Sequence, residues 1–191
     1  MDAIKFTESI IIEAKQENVF DFTQDYNKRL KWDTFLKRAD LIEGATTADK
    51  GVKAYCVAKN GLGMVTEYVT FNRPKVTAIK MTKGPFMFKS FLGSWTFKEL
   101  SADKTEVIFL YSFMLKFPFS ILTNFIKRNL QTNVKQRLID LKNNIETKAQ
   151  TANIVLAIVG LTVVNSTFVI LLGICANVGL TFFKCPTIAN T

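Results

Sequence analysis

The sequence contains few of the residue arrangements that are typical of a catalytic or metal site. The 191-residue chain contains no histidine, which excludes the Ser-His-Asp and Cys-His arrangements and every histidine-ligated metal site. Its three cysteines, Cys56, Cys175 and Cys185, form no Cys-x-x-Cys pair, which favours reduced thiols in a cytosolic protein. No group of acidic residues has the spacing of a metal site, so the sequence predicts neither a metal nor a cofactor.

The candidate for a catalytic group is Glu67, which stands between Thr66 and Tyr68 in an apolar stretch. A buried carboxylate with a raised pKa could act as a general acid or base. A carboxylate on the solvent face of a sheet is the commoner arrangement, and we favour it for Glu67. The sequence therefore assigns no catalytic residue, and an enzyme is kept as an alternative.

Short runs of β-branched and aromatic residues occupy the first two thirds of the chain. Phe6–Ala14 and Gly51–Gly61 are two of them, and turn residues separate the runs at the regular spacing typical of an antiparallel meander. Residues 15–32, after the first run, show an apolar spacing that indicates two short helices. We expect a sheet of six or seven strands.

A different periodicity begins at Pro118. Apolar residues recur every three or four positions up to Ile145, which predicts a long amphipathic helix from Pro118 to about Lys148 that can cover one face of a curved sheet. Proline suits a first helical turn, because the amide hydrogen that it lacks has no partner there. The basic residues predicted for the outer face of this helix are Lys127, Arg128, Lys135, Arg137, Lys142 and Lys148.

Two stretches carry a family resemblance, together with the long final helix. They are "ESIIIEAKQENVFDFTQDYNKRLKWD" and "GSWTFKELSADKTEVIFLYSFML". With that helix they resemble the helix-grip superfamily of START domains, polyketide cyclase/dehydrase-like proteins and the birch-pollen-allergen fold, over about Ile4 to Ile145. The resemblance implies an α+β helix-grip fold for residues 1–148, in which a curved antiparallel sheet wraps around the helix and leaves an apolar cavity.

Strand alternation predicts which side chains could line that cavity. Trp95 shares a strand face with Phe97, and Met64 shares one with Tyr68. A slip of one residue would exchange the two faces of a strand, so the sequence leaves the inward face open. A core filled completely by these side chains is the competing interpretation. The predicted ligand-binding residues are Tyr55, Met64, Tyr68, Trp95, Phe97, Phe109, Tyr111 and Phe113.

An apolar C-terminal segment, residues 149–191, follows the predicted domain. It carries no Lys, Arg, Asp or Glu before Lys184, and residues 154–176 are long and apolar enough to span a bilayer as a helix. Basic residues crowd its N-terminal flank, so such a tail anchor would keep the domain in the cytoplasm. The alternatives are a re-entrant hairpin hinged at Asn165–Thr167, packing onto the domain, and a non-native end of the chain.

The net charge of +9 suits either nucleic acid or an anionic membrane surface, and the apolar tail favours the membrane. Three functions stay open. The first is the binding or transport of a hydrophobic, lipid-like small molecule in the cavity. The second is a cyclase/dehydrase-type enzyme that acts on an apolar substrate there, and the third is a structural or partner-binding domain with a filled core. We expect a lipid-like molecule and a membrane as partners, and no nucleic acid.

Overall fold

The structure is a computed structural model that describes the backbone of residues 3–178 and the side chains of residues 3–151, 154 and 155. By its contacts the chain divides into two units, Met1–Thr147 and Lys148–Thr191. The first unit contains a sheet and the helices that cover it, as expected for an α+β protein.

Seven antiparallel strands form one sheet. The strands are β1 (Ile4–Ile12), β2 (Leu36–Leu41), β3 (Lys53–Ala58), β4 (Gly63–Asn72), β5 (Val76–Lys83), β6 (Phe88–Ser101) and β7 (Lys104–Leu115). Their order across the sheet is β1-β7-β6-β5-β4-β3-β2, so each strand from β2 to β7 lies beside the next, and β1 completes the β7 edge. The predicted antiparallel meander is confirmed.

Alternation along β6 and β7 gives the sheet one buried face. Every second residue of β7 from Thr105 to Leu115 is buried, and the residues between them are partly exposed. The register places Trp95 of β6 opposite Phe109 of β7, and both rings are buried. Because successive side chains of a strand point to opposite faces, these residues all contribute to a core on the same side of the sheet.

Two short helices, α1 (Gln16–Gln24) and α2 (Tyr26–Trp32), connect β1 to β2, as predicted. Asp25 separates them, and its side chain accepts a hydrogen bond from the backbone N–H of Asn27, which caps the start of α2. Phe20 of α1 and Trp32 of α2 are buried in the core of the sheet. The two helices therefore pack onto the same face that β6 and β7 bury.

The final helix, α3 (Thr123–Val178), begins and ends later than predicted. A 3-10 helix at Phe119–Leu122 precedes it, so Pro118 lies outside its first turn. It continues past Lys148 because the chain offers no helix-breaking Gly or Pro until Gly160. The side chains of α3 that are buried in the core are Val134, Leu138, Leu141 and Ile145.

The predicted membrane span lies in the later part of α3. Among the residues whose placement the structure describes, no helix is long and apolar enough to cross a membrane. The side chains of 156–176 fall outside those residues, and so do the backbone and side chains of 179–191. The span over 154–176 therefore stays a prediction.

Candidate ligand-binding site

A cavity of about 340 Å³ lies between the sheet and α3. Side chains of β2 to β7, of α2 and of the first half of α3 line it. Its volume falls at the lower end of the roughly 300–1,000 Å³ found for small-molecule sites. The aromatic residues of the sheet therefore do not fill the space under α3.

The cavity runs along α3 from an exposed mouth to a buried end. Phe125 is exposed at the mouth, Asn133 is half-buried, and Arg137 is buried. The twelve helical steps from Phe125 to Arg137 span about 18 Å at a rise of ~1.5 Å each. Burial increases in the same direction along β4, from Met64 to Tyr68. The cavity is thus elongated, with its inner end at Arg137 and Tyr68.

Aromatic rings form the wall of the inner half. Trp95 stacks on Phe109 with ring centroids 3.9 Å apart, and Tyr111 packs against Phe91 with centroids 4.6 Å apart. The Arg137 guanidinium lies over the Phe109 ring, 5.2 Å from its centroid. Stacked rings and a cation over a ring face are both attractive arrangements, so this wall holds the guanidinium in place.

Three charged side chains are buried at the inner end. The Arg29 Nε donates to Asp33 Oδ2 at 2.9 Å, and the Arg137 Nη2 donates to the same oxygen at 2.8 Å. Arg137 Nη1 also donates to the Tyr111 hydroxyl at 2.8 Å, and Arg29 Nη1 to the Thr23 carbonyl at 3.0 Å. Burial acts to raise the pKa of Asp33, but the two guanidinium groups hold it below its ordinary value.

The position of Arg137 corrects the sequence prediction, which put it on the outer face of the final helix. Its exposed fraction is only 5%. Arg137 follows Val134 by three residues and precedes Leu141 by four, and both of those face the core. Helical periodicity therefore places Arg137 on the inner face, and the sequence did contain the signal.

Two phenols form a second polar group beside the arginines. The Tyr68 hydroxyl donates to Gln24 Oε1 at 2.9 Å, and the Tyr26 hydroxyl lies 3.2 Å from the Tyr68 oxygen, to which it donates. Burial raises the pKa of both phenols. Burial likewise raises the pKa of the Tyr111 phenol and of the Cys56 thiol. All four groups are therefore protonated at neutral pH.

The structure brings part of the predicted ligand-binding set together. Phe97, which packs on Phe20, and Phe113, which packs on Phe88, do not line the cavity and belong to the surrounding core. The predicted residues that line the cavity are Met64, Tyr68, Trp95, Phe109 and Tyr111.

Tyr55 and Glu67 lie on the outer face of the sheet. Tyr55 precedes Cys56, which lines the cavity, so its ring points away and lies under the Arg38 guanidinium at 5.2 Å. Both neighbours of Glu67 in β4 line the cavity, and its carboxylate is 3.7 Å from the Lys80 ammonium. Neither side chain can reach a ligand in the cavity, which leaves Glu67 in the solvent-face arrangement that we favoured.

Sequence reasoning missed the polar part of the lining. Helix α2 has only seven residues, which is too short for its periodicity to show an inner face at Arg29. Within the described part of the chain, no three His, Cys, Asp or Glu side chains form a group that could hold a metal. The polar lining residues absent from the predicted set are Tyr26, Arg29, Cys56, Asn60, Thr66, Asn129, Asn133 and Arg137.

A family model described as "Polyketide cyclase / dehydrase and lipid transport" matches residues 3–146 of the chain. The chain belongs to this family. A comparison with curated proteins finds no match.

Solved structures share the fold at low sequence identity. The Zhui aromatase/cyclase from Streptomyces sp. R1128 has a TM-score of 0.66 and 12% identity, over 78% of this chain and 98% of that chain. A START superfamily protein from Mycobacterium smegmatis has a TM-score of 0.53 and 11% identity, over 72% of this chain and 98% of that chain. Major latex-like protein 151 from Panax ginseng has a TM-score of 0.60 and 14% identity, over 75% of this chain and 98% of that chain. These likenesses confirm the predicted helix-grip fold.

Proposed function

We propose that this chain binds a hydrophobic, lipid-like small molecule in the cavity between the sheet and α3. The observation that carries the proposal is the cavity itself, about 340 Å³ enclosed largely by apolar and aromatic side chains. Protein interiors are close-packed, and a void of this size forfeits the contacts that its lining atoms would otherwise make. An apolar occupant restores those contacts, so it binds and stabilises the domain.

Uptake of the neutral dye N-phenyl-1-naphthylamine by the full chain tests this proposal. Ala58 lines the cavity and Ala78 lies on the outer face of the sheet, next to Ile79 of the lining, so they offer a matched pair. We expect Ala58→Phe to abolish most of the saturable dye fluorescence and Ala78→Phe to preserve it. The apolar segment 149–191 can itself take up dye, so the difference between the variants is the measurement. Equal dye binding by both would contradict the proposal.

A cyclase/dehydrase-type reaction in the same cavity is the second candidate. The Tyr26 hydroxyl favours it, because a substrate carbonyl could replace the Tyr68 oxygen as the acceptor of its hydrogen bond and would be polarised by it. Against it, no Asp or Glu occurs among the described lining residues, and the phenols are protonated at neutral pH. A general base is thus missing from the lining, which makes binding the better-supported function. Dehydration of a poly-β-ketone probe that is lost in Tyr26→Phe would make the enzyme the better-supported function.

We also propose that the mouth of the cavity docks on an anionic membrane surface. The rings of Phe86 and Phe119 are in contact, with centroids 5.2 Å apart. This contact joins the β5–β6 loop to the 3-10 helix that precedes α3. Phe125 belongs to the cavity lining and is 71% exposed. The exposed apolar residues of this rim are Phe86, Phe117, Ile121, Leu122 and Phe125.

The two chain segments that form this rim carry charges of a single sign. Neither residues 68–98 nor residues 107–139 contain an Asp or Glu. Exposed aromatic and aliphatic side chains surrounded by basic ones are typical of surfaces that insert into the headgroup region of anionic bilayers. The basic residues that lie within a few positions of the rim residues in the sequence are Lys83, Lys89, Lys116, Lys127 and Arg128.

Hydrogen exchange of the full chain localises this contact whatever the tail does. With vesicles that contain phosphatidylserine, we expect slower amide exchange in residues 84–87 and 116–122 than with phosphatidylcholine vesicles. The β6–β7 turn at residues 101–104 serves as the internal control, because it lies at the other end of β6 from the rim. Salt should remove the difference, since headgroup attraction is screened within about 10 Å at 0.1 M. Identical exchange in both kinds of vesicle would rule out this docking.

A further inference from the structure

The charges at the inner end of the cavity do not balance. Two guanidinium groups, those of Arg29 and Arg137, share the single carboxylate of Asp33, which leaves a net charge of +1. Both arginines line the cavity, whereas Asp33 does not. The side chains of all three are at most 8% exposed, so water screens this charge little.

No other acid in the described part of the chain offsets the surplus. Asp140 is the other buried carboxylate, and it accepts hydrogen bonds from Thr34 and Gln136. It forms no ion pair with Arg29 or Arg137 among the described contacts. The positive charge therefore faces the cavity without a counter-ion from the protein.

The two arginines also keep hydrogen-bond donors to spare. A guanidinium has five N–H groups and does not lose its proton in proteins. Within the described residues, Arg29 uses two of them, to Asp33 and to the Thr23 carbonyl. Arg137 uses three, from Nε and Nη2 to Asp33 and from Nη1 to Tyr111. About half of the donors of the pair are thus free to bind a ligand that enters the cavity.

The net charge of +1 and the shape of the guanidinium groups favour one class of anion at the inner end of the cavity. A buried charge without a partner is costly, and an anion at the inner end removes that cost. A carboxylate carries one negative charge and matches the planar fork of a guanidinium. A phosphate monoester carries about −1.5 to −2 at neutral pH and would exceed the surplus.

We propose that the ligand is an amphipathic monocarboxylate, whose head group binds Arg29 and Arg137 while its apolar chain extends along α3 to the mouth. The inference rests on the proposed binding function and adds the charge and orientation of the ligand. The cavity follows α3 for about 18 Å, which suits an extended chain. Its volume of about 340 Å³ is near the lower end of small-molecule sites, which suits an apolar chain of medium length.

Displacement of N-phenyl-1-naphthylamine from the full chain at neutral pH tests the head group. The competitors are dodecanoate, 1-dodecanol and dodecylamine, which share a chain and differ in charge. We expect dodecanoate to bind at least about tenfold more tightly than dodecanol, and dodecylamine to bind most weakly. Equal affinities for dodecanoate and dodecanol would overturn the inference and leave the proposed function standing. If neither compound displaces the dye, both fail.

Two isosteric variants on α3 test the location of the head group. Asn133 lines the cavity one helical turn before Arg137, and its amide donates to Asn129 Oδ1 at 3.0 Å, so Asn133→Asp places a carboxylate on the path between the surplus charge and the mouth. We expect it to lower the dodecanoate affinity at least about tenfold and to change the dodecanol affinity far less. Asn129→Asp makes the same change at the exposed mouth, where solvent screens it, and should have a smaller effect. Equal losses in the two variants would contradict binding at Arg29 and Arg137.

Discussion

Arg137 of α3 donates from Nη2 to Asp33 Oδ2 at 2.8 Å, which joins residues 104 positions apart in the chain. Asp33 directly follows α2, so the bond ties the final helix to the helix pair that follows β1. Asp33 is completely buried, and a second guanidinium, that of Arg29, binds it from α2. The inner end of the cavity is thus closed by one carboxylate that holds two cations.

Removing that carboxylate should destabilise the protein severely. Asp33→Ala leaves two buried guanidinium groups without a counter-ion, and breaking a buried pair in this way typically costs about 3–5 kcal/mol of unfolding free energy. Asp21→Ala is the matched control, because Asp21 pairs with Arg73 where both side chains are about half exposed. The control should change the unfolding free energy by about 1 kcal/mol or less. Urea denaturation measures both, and similar losses would show that the buried cluster contributes nothing special.

The same carboxylate should limit stability at acid pH. The two arginines lower the pKa of Asp33 in the folded state, against the opposing effect of burial, whereas an unfolded Asp has a pKa of about 3.9. The unfolded chain then binds more protons below that pH, so the contribution of Asp33 is complete above about pH 4 and is lost as the pH falls through the folded pKa. Denaturant midpoints measured from pH 7 down to pH 2 test this prediction. Asp33→Asn should lack the part of the acid-induced loss of stability that comes from protonation of Asp33. Parallel pH profiles would contradict the assignment.

Tyrosine ionisation should limit stability at the alkaline end. Burial raises the pKa of Tyr26, Tyr68 and Tyr111 above the ordinary value of about 10. The unfolded chain loses these protons first, so their contribution is complete below about pH 10 and declines as the pH rises further. We expect the phenolate absorbance of the native protein to lag behind that of the urea-unfolded chain. Tyr26→Phe should reduce the lag, and titration curves that coincide would show that the phenols are not buried.

Periodic features of the sequence predicted the fold, and long-range charge pairing escaped prediction. The alternation of β7 is unbroken over twelve residues, so its buried face could be recognised once the neighbouring strands were aligned. Arg29 and Arg137 were missed because a charged side chain is assigned to solvent by default. For Arg137 the spacing from Val134 and Leu141 did indicate the inner face. What local spacing does not contain is the partner that makes its burial tolerable, because Asp33 is 104 residues away in the chain.

The strand face of a predicted site residue is equally hard to fix. Tyr55 and Cys56 are neighbours in β3, and the sequence favoured the aromatic one for the cavity. Cys56 lines the cavity instead of Tyr55. The register of β3 and β4 pairs Cys56 with Met64, which is also a lining residue. A shift of one residue in that register would have exchanged the two.

The apolar segment 149–191 should hold the full chain to membranes. We expect the protein to stay in the pellet after washing with alkaline carbonate, because a spanning helix is not held by charge. Two lysines in the middle of the segment, Val164→Lys with Val169→Lys, should release it, since each costs about 2.5–3.5 kcal/mol at the centre of a span. Soluble, monomeric full-length protein without detergent would refute the tail anchor.

Cys56 offers a chemical readout of cavity occupancy. Its thiol lines the cavity, and burial raises its pKa, so little thiolate exists at neutral pH and alkylation by iodoacetamide should be slow. We expect the rate of alkylation to rise with pH. At any one pH, dodecanol in the cavity should lower that rate, because the ligand covers the sulfur. Peptide mapping by mass spectrometry separates Cys56 from the other two cysteines of the chain. In Ala58→Phe, dodecanol should no longer protect Cys56, since the added ring takes the place of the ligand. Labelling that dodecanol does not slow in the unmodified chain would mean that the ligand binds elsewhere.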